Sequence, residues 1–157
     1  MRKIIYGIMA CLLLCLTACG AQPLEEDFPP EPTIAFESIF TIEKVKDLSG
    51  ISVTQIQNFN DGSIAYFNED FSEAIYMSYS EMSIADFDTM LQGFSEIGTL
   101  VDAPNLSEKA VWCENSCNLL IFENGKALDI QVQYDTARPN DSLLAARQLG
   151  YVLLQNW

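Results

Sequence analysis

The chain has 157 residues, 49% of them hydrophobic and 11% aromatic, enough apolar material for the core of one ordinary domain and too much for a disordered chain. The 22 acidic residues against 8 Lys and Arg give a formal net charge of −14, which opposes binding to nucleic acid or anionic headgroups and favours cationic partners or divalent ions. Histidine is absent, which removes Ser-His-Asp and Cys-His hydrolases and most catalytic zinc sites.

The chain opens with Arg2 and Lys3, an apolar run from Ile4 to Leu16, and small residues around Cys19. That is the layout of a secretory signal. The run has 13 residues, short of the roughly 20 that a membrane-spanning helix needs. Leu16-Thr17-Ala18-Cys19 resembles a bacterial lipobox, and an ordinary cleaved signal with an incidental cysteine is the alternative. The resemblance implies that residues 1–18 are removed, that Cys11 and Cys15 leave with them, and that Cys19 becomes an acylated N-terminus anchored in the lipid bilayer. Gly20 stands where an Asp would favour inner-membrane retention, so the same resemblance points to the outer membrane, facing the periplasm, in a Gram-negative organism. Removal of Arg2 and Lys3 leaves 22 acids against 6 bases.

Residues 19–33 carry Pro23, Pro29, Pro30 and Pro32, four acids and no apolar periodicity, the composition of an extended solvated tether. At about 3.1 Å per residue in polyproline geometry it reaches on the order of 40 Å.

Residues 34–157 form a single α/β domain without internal repeats. Ile42, Val45 and Leu48 recur every third residue between Thr41 and Gly50, which suggests a short helix with Thr41 as N-cap, although Phe36, Phe40 and Ile42 equally fit a strand. Strands are predicted near 51–59, 63–67 and 73–80, separated by Asn60-Asp61-Gly62 and Asn68-Glu69-Asp70, with Ile75, Met77 and Tyr79 on one face of the third. A helix follows from Ser83, with Asp86 three residues on in a capping-box spacing, Ile84, Phe87, Leu91 and Phe94 as its apolar stripe, and Gly98 as its stop. Further strands are predicted near 98–103, 109–113, 117–123 and 126–133, the last two joined by Asn124-Gly125. The last helix starts near Asp141 and aligns Ala146, Leu149, Leu153 and Trp157, with Gly150 inside it costing about 1 kcal/mol relative to Ala. The expected fold is an α+β two-layer sandwich, a mostly antiparallel sheet with the two main helices on one face.

The run from Val101 to Trp112, followed by strand, Asn-Gly turn, strand and helix, resembles the C-terminal half of small secreted domains of the PsbP and LpqN-like kind. Where those domains carry Gly-Leu-Gly-Asp-x-Ala, this chain has Asn105-Leu106-Ser107-Glu108-Lys109-Ala110. The resemblance implies a small secreted α/β domain and brings no catalytic site with it.

Val111-Trp112-Cys113-Glu114-Asn115-Ser116-Cys117 holds the two remaining cysteines. In an oxidising compartment such a pair is read as a structural disulfide, with Cys113 and Cys117 facing each other across a three-residue loop. The alternative is a thiol-redox or metal-handling pair. Against it, three residues intervene instead of two, and strand-like Leu119-Leu120-Ile121-Phe122 follows instead of a helix that would depress a thiol pKa.

Other candidates have ordinary explanations. Asp86 and Asp88 do not share a helix face, and Glu69, Asp70 and Glu73 fit a solvated turn. Around Asn58-Phe59-Asn60-Asp61-Gly62-Ser63 the glycine falls one place early for a calcium loop. Tyr66, Tyr76 and Tyr79 are either a recognition surface or packed cross-strand residues. No catalytic, cofactor or metal residue is assigned. The sequence points to a non-enzymatic, membrane-anchored lipoprotein of the cell envelope whose domain binds or supports another envelope component.

Overall fold

The computed structural model describes residues 35–133 and 139–156. The predicted signal segment 1–18, the tether 19–33 with Cys19, and Trp157 lie outside the described residues. In chain order the elements are α1 (Phe36–Ile39), α2 (Ile42–Ser49), β1 (Gln55–Asn58), β2 (Ile64–Phe67), β3 (Glu73–Glu81), α3 (Ile84–Ile97), β4 (Leu100–Asp102), β5 (Lys109–Cys113), β6 (Asn118–Glu123), β7 (Lys126–Val132) and α4 (Pro139–Gln155).

Local chemistry sets most of the boundaries. Thr41 caps α2 by accepting from the Lys44 amide, and Gly50 ends it in the left-handed conformation at φ 71°. At the start of α3, Ser83 Oγ accepts from the Asp86 amide while Asp86 Oδ2 accepts from the Ser83 amide, so Asp closes the capping box that Glu usually closes. Asn124 and Gly125 take φ 51° and 78°, the mirror-image turn that matches strand twist in a two-residue hairpin. Helix α1 is absent from the sequence reading, since four residues carry too little periodicity to announce themselves. With α2 it settles the choice between helix and strand in this region in favour of helix, and Phe36 and Phe40 enter the core.

The strands form one seven-stranded sheet in the order β1-β2-β3-β7-β6-β5-β4, antiparallel at every pairing. Two meanders, β1-β2-β3 and β4-β5-β6-β7, meet where β3 pairs with β7. Helix α3 supplies the long connection to the far edge. Its 14 residues span about 21 Å, close to the ~19 Å of the four interstrand steps from β3 to β4.

The α+β class, the antiparallel sheet and the packing of helices on it agree with the sequence. The helices divide between the faces, however, where a single covered face was expected. On one face Ile64, Tyr66, Ile75, Met77, Trp112, Leu119, Ile121, Leu128 and Ile130 pack against Phe36, Phe40 and Val45 and against Ala145, Ala146, Leu149 and Leu153 of α4. On the other, Val111, Leu120, Phe122 and Ala127 pack against Phe87 and Leu91 of α3. The cause lies in β5 and β6, whose side chains are apolar in both directions of the pleat, so that burying one face alone leaves Val111, Leu120 and Phe122 in water.

Helix α4 approaches its face closely because residue 150 has no side chain. A Cβ there would stand 2.6 Å from Cδ1 of Ile121 and 3.4 Å from Cδ1 of Ile130, both fully buried. Gly93, exposed on α3, has nothing within 4 Å. The two glycines therefore respond oppositely to alanine. Gly93→Ala is expected to stabilise by about 1 kcal/mol through helix propensity. Gly150→Ala is expected to destabilise, because overpacking costs about 1–3 kcal/mol and outweighs the same propensity gain. Urea midpoints at constant m-value measure both, and stabilisation by Gly150→Ala would show that Ile121 yields freely.

Candidate functional site

The pleat of β5 decides where the first cysteine points. Val111 and Cys113 share the face that α3 covers, while Ala110 and Trp112 share the opposite one. Cys113 is fully buried, with Sγ 3.9 Å from the Phe94 carbonyl oxygen of α3. Its cross-strand partner is Asn118, so Cys117 does not stand opposite it. Instead Cys117 is the last residue of a four-residue turn, left-handed at φ 56°, with its thiol 3.7 Å from the Glu114 carbonyl oxygen. It packs against the core on the α4 side of the sheet.

Both residues are free thiols in this structure. The predicted three-residue loop is replaced by a turn of four, because residue 117 turns the chain into β6 rather than pairing across it. Burial pushes the Cys117 thiol above its ordinary pKa; a hydrogen bond with Ser142 works against that rise and the neighbouring Cys113 adds to it. The result suppresses the thiolate on which redox and metal chemistry depend. Gly98 admits the tight packing of this corner: a Cβ there would lie 2.9 Å from Cys113 Sγ and 2.8 Å from Asn115 Cβ.

The turns flanking β2 spend their polar groups locally. Asp61 Oδ1 accepts from the amide and hydroxyl of Ser63, and Asn68 and Asp70 both accept from the Ser72 amide. These bonds hold the carboxyls of Asp61 and Asp70 below the ordinary carboxylate range. In a meander the two turns sit at opposite ends of the sheet, so they do not share an ion. Among the described residues no group of three or more Cys, Asp or Glu is placed to hold a metal.

The three tyrosines do not form one surface. Tyr66 is fully buried and donates to the Phe40 carbonyl oxygen at 2.8 Å; burial, with a smaller contribution from Glu37, raises its pKa. Tyr79 points to the same side of the sheet, donates to Glu81 at 3.0 Å, and is pushed up to about 12, first by burial and then by Glu81. Tyr76 alone faces the other way, its ring 6.4 Å from that of Phe59.

That opposite direction exposes a surface absent from the sequence reading. Among the described residues, the apolar contacts of helix α3 fall on the β5-β6-β7 side of its face. The remainder carries Gln55 and Gln57 of β1, Phe67 of β2, Tyr76 and Ser78 of β3, and Asp129 and Gln131 of β7, none of which belongs to either core cluster. Gln55 and Gln57 are exposed; the others are half-buried. Asp129 stands opposite Ser78 and accepts a 2.6 Å hydrogen bond from Asn118 Nδ2, while Gln131 donates to the Ser116 carbonyl oxygen. Alternation in β7 of Asp129 and Gln131 with Leu128, Ile130 and Val132 was the available sequence signal. It lacked only the identity of the neighbouring strands.

No family model matches this chain, and no curated protein matches it.

Burial holds the Asp129 carboxyl above the ordinary carboxylate range, with the Asn118 amide drawing it part of the way back. The folded chain thus binds this proton more tightly than the unfolded chain does. The associated stability is complete below the unfolded value of about 3.9 and is lost as pH rises through the raised folded value. Asp129→Asn retains an acceptor for Asn118 without the charge. It is expected to be more stable than the parent at about pH 7, with the difference closing towards about pH 3. Thermal denaturation across that range measures it, and a difference that does not change with pH would place the origin elsewhere than the carboxyl.

Proposed function

We propose that this protein is a lipid-anchored lipoprotein of the cell envelope, acylated at Cys19, whose α+β domain is a non-catalytic binding or support module for another envelope component. The observation that carries this is Leu16-Thr17-Ala18-Cys19 at the end of a basic and then apolar leader, followed by the Pro-rich and acid-rich stretch 19–33. In this proposal the anchor is the acylated Cys19; among the described residues no helix is long and apolar enough to cross a membrane. With Gly20 after it, the location in a Gram-negative organism is the outer membrane, facing the periplasm. The likeness of the second half to PsbP and LpqN-like domains belongs to the same reading, because those are small secreted domains without a shared catalytic site.

A structural disulfide between Cys113 and Cys117 is part of this proposal for the exported, oxidised protein. The competing use of the pair in thiol-redox or metal handling is weakened by the full burial of Cys113 and the raised pKa of Cys117.

Two measurements on the full chain expressed in a bacterium test these points. Cys19→Ser is expected to move the protein from the membrane fraction to the soluble fraction, and quantitative retention in the membrane would end the lipid-anchor reading. Intact mass after thiol trapping in cells is expected to show acylation at Cys19 and a Cys113–Cys117 bridge that opens only on reduction. Alkylated thiols at both positions would instead favour the redox alternative.

A further inference from the structure

Among the described residues, the part of the sheet face that α3 leaves uncovered holds an electrostatic cost that the Asn118 amide offsets only in part. Asp129 is a half-buried carboxylate whose hydrogen-bond partner, Asn118, is neutral. Withdrawing a carboxylate from water without a cation beside it is unfavourable. A second acid, Glu73, stands on the same face opposite Phe67.

The described cations are placed elsewhere. Lys109 shares the face, but its ammonium lies 2.5 Å from Asp88 of α3. Lys44 and Lys46 belong to α2, which packs on the other side of the sheet. Lys126 is flanked in the register by Glu81 and Glu123, and Arg147 of α4 donates to the Pro104 carbonyl oxygen. What remains around Asp129 is polar at Ser78, Asn118 and Gln131 and aromatic at Tyr76, with Phe59 beside the ring.

We infer that this sheet face docks a basic segment of a partner polypeptide, with a Lys or Arg head group on Asp129 and its alkyl stem lying along Tyr76. Charge complementarity selects the partner: the chain carries a net charge of −14, so the face repels nucleic acid and anionic lipid and attracts cations. Tyr76 lies two register pairs from Asp129, the next position on the same face across β3 and β7, within the diagonal reach of a long side chain. An aromatic ring beside a carboxylate suits a cation with an apolar stem. Gln and Ser side chains around it supply hydrogen bonds to a peptide backbone. This inference rests on the reading of the domain as a binding module and names its partner class.

The test uses the full-length protein in neutral detergent and a fluorescein-labelled peptide of alternating lysine and glycine, followed by anisotropy at low ionic strength. Saturable binding is expected, weakened about tenfold by Asp129→Asn, which removes the charge without removing the acceptor. Ser78→Lys, which seats a cation opposite Asp129, is expected to weaken it comparably. Glu43→Gln, which removes one charge from α2 on the other side of the sheet, is expected to leave it unchanged. Circular dichroism of each variant verifies folding, and Asp129→Asn and Ser78→Lys provide independent routes to the same loss. The inference is overturned if binding does not saturate, or if Asp129→Asn and Glu43→Gln weaken it equally, which would mean diffuse attraction to an acidic chain. Neither result alters the mass expected at Cys19, so this inference and the lipid-anchor reading fail separately.

Discussion

The ladder between β3 and β7 holds the domain together. Each meander is built from short-range hairpins, and neither alone buries its apolar residues. Seven register pairs join them, from Ile75 with Val132 to Glu81 with Lys126. On one side of that ladder Ile75, Met77 and Tyr79 meet Val132, Ile130 and Leu128 and continue the core under α4. On the other side the same pleat places Tyr76 and Ser78 beside Gln131 and Asp129. A register slip of one residue would put Asp129 in the core and Ile130 in water, so burial fixes the ladder and, with it, the polar face.

Local signals were readable because they act within a few residues. The caps at Thr41 and Ser83, the Asn124-Gly125 turn, and the alternation of Ile75, Met77 and Tyr79 in β3 all follow from preferences of nearby positions. The side on which α3 packs is decided far along the chain, by Val111, Leu120 and Phe122. The continuous run Leu119-Leu120-Ile121-Phe122 held the clue, since a strand apolar at every position needs cover on both faces. Asp129 was equally hidden: its strand was legible, but its neighbours Ser78 and Asn118 come from elements 51 and 11 residues away. The alternation along β7 marked its polar side, but the residues that face it on β3 belong to the other meander.

The two chemical features of the domain are linked through Asn118, which pairs with Cys113 across β5 and β6 and donates to Asp129. Cys113 points under α3 and Cys117 turns toward the α4 side, while Asp129 and Tyr76 occupy the part of the α3 face that the helix leaves uncovered. Closing a loop of about five residues between Cys113 and Cys117 would contribute roughly 2 kcal/mol in the chain-entropy model. A change of the β5-β6 turn on oxidation would reach the polar face, because Gln131 donates to the Ser116 carbonyl oxygen and Asn118, next to Cys117, donates to Asp129. The Asp129 carboxylate, half-buried beside a neutral amide, costs stability at neutral pH, and in the proposed binding module its complement lies on another molecule.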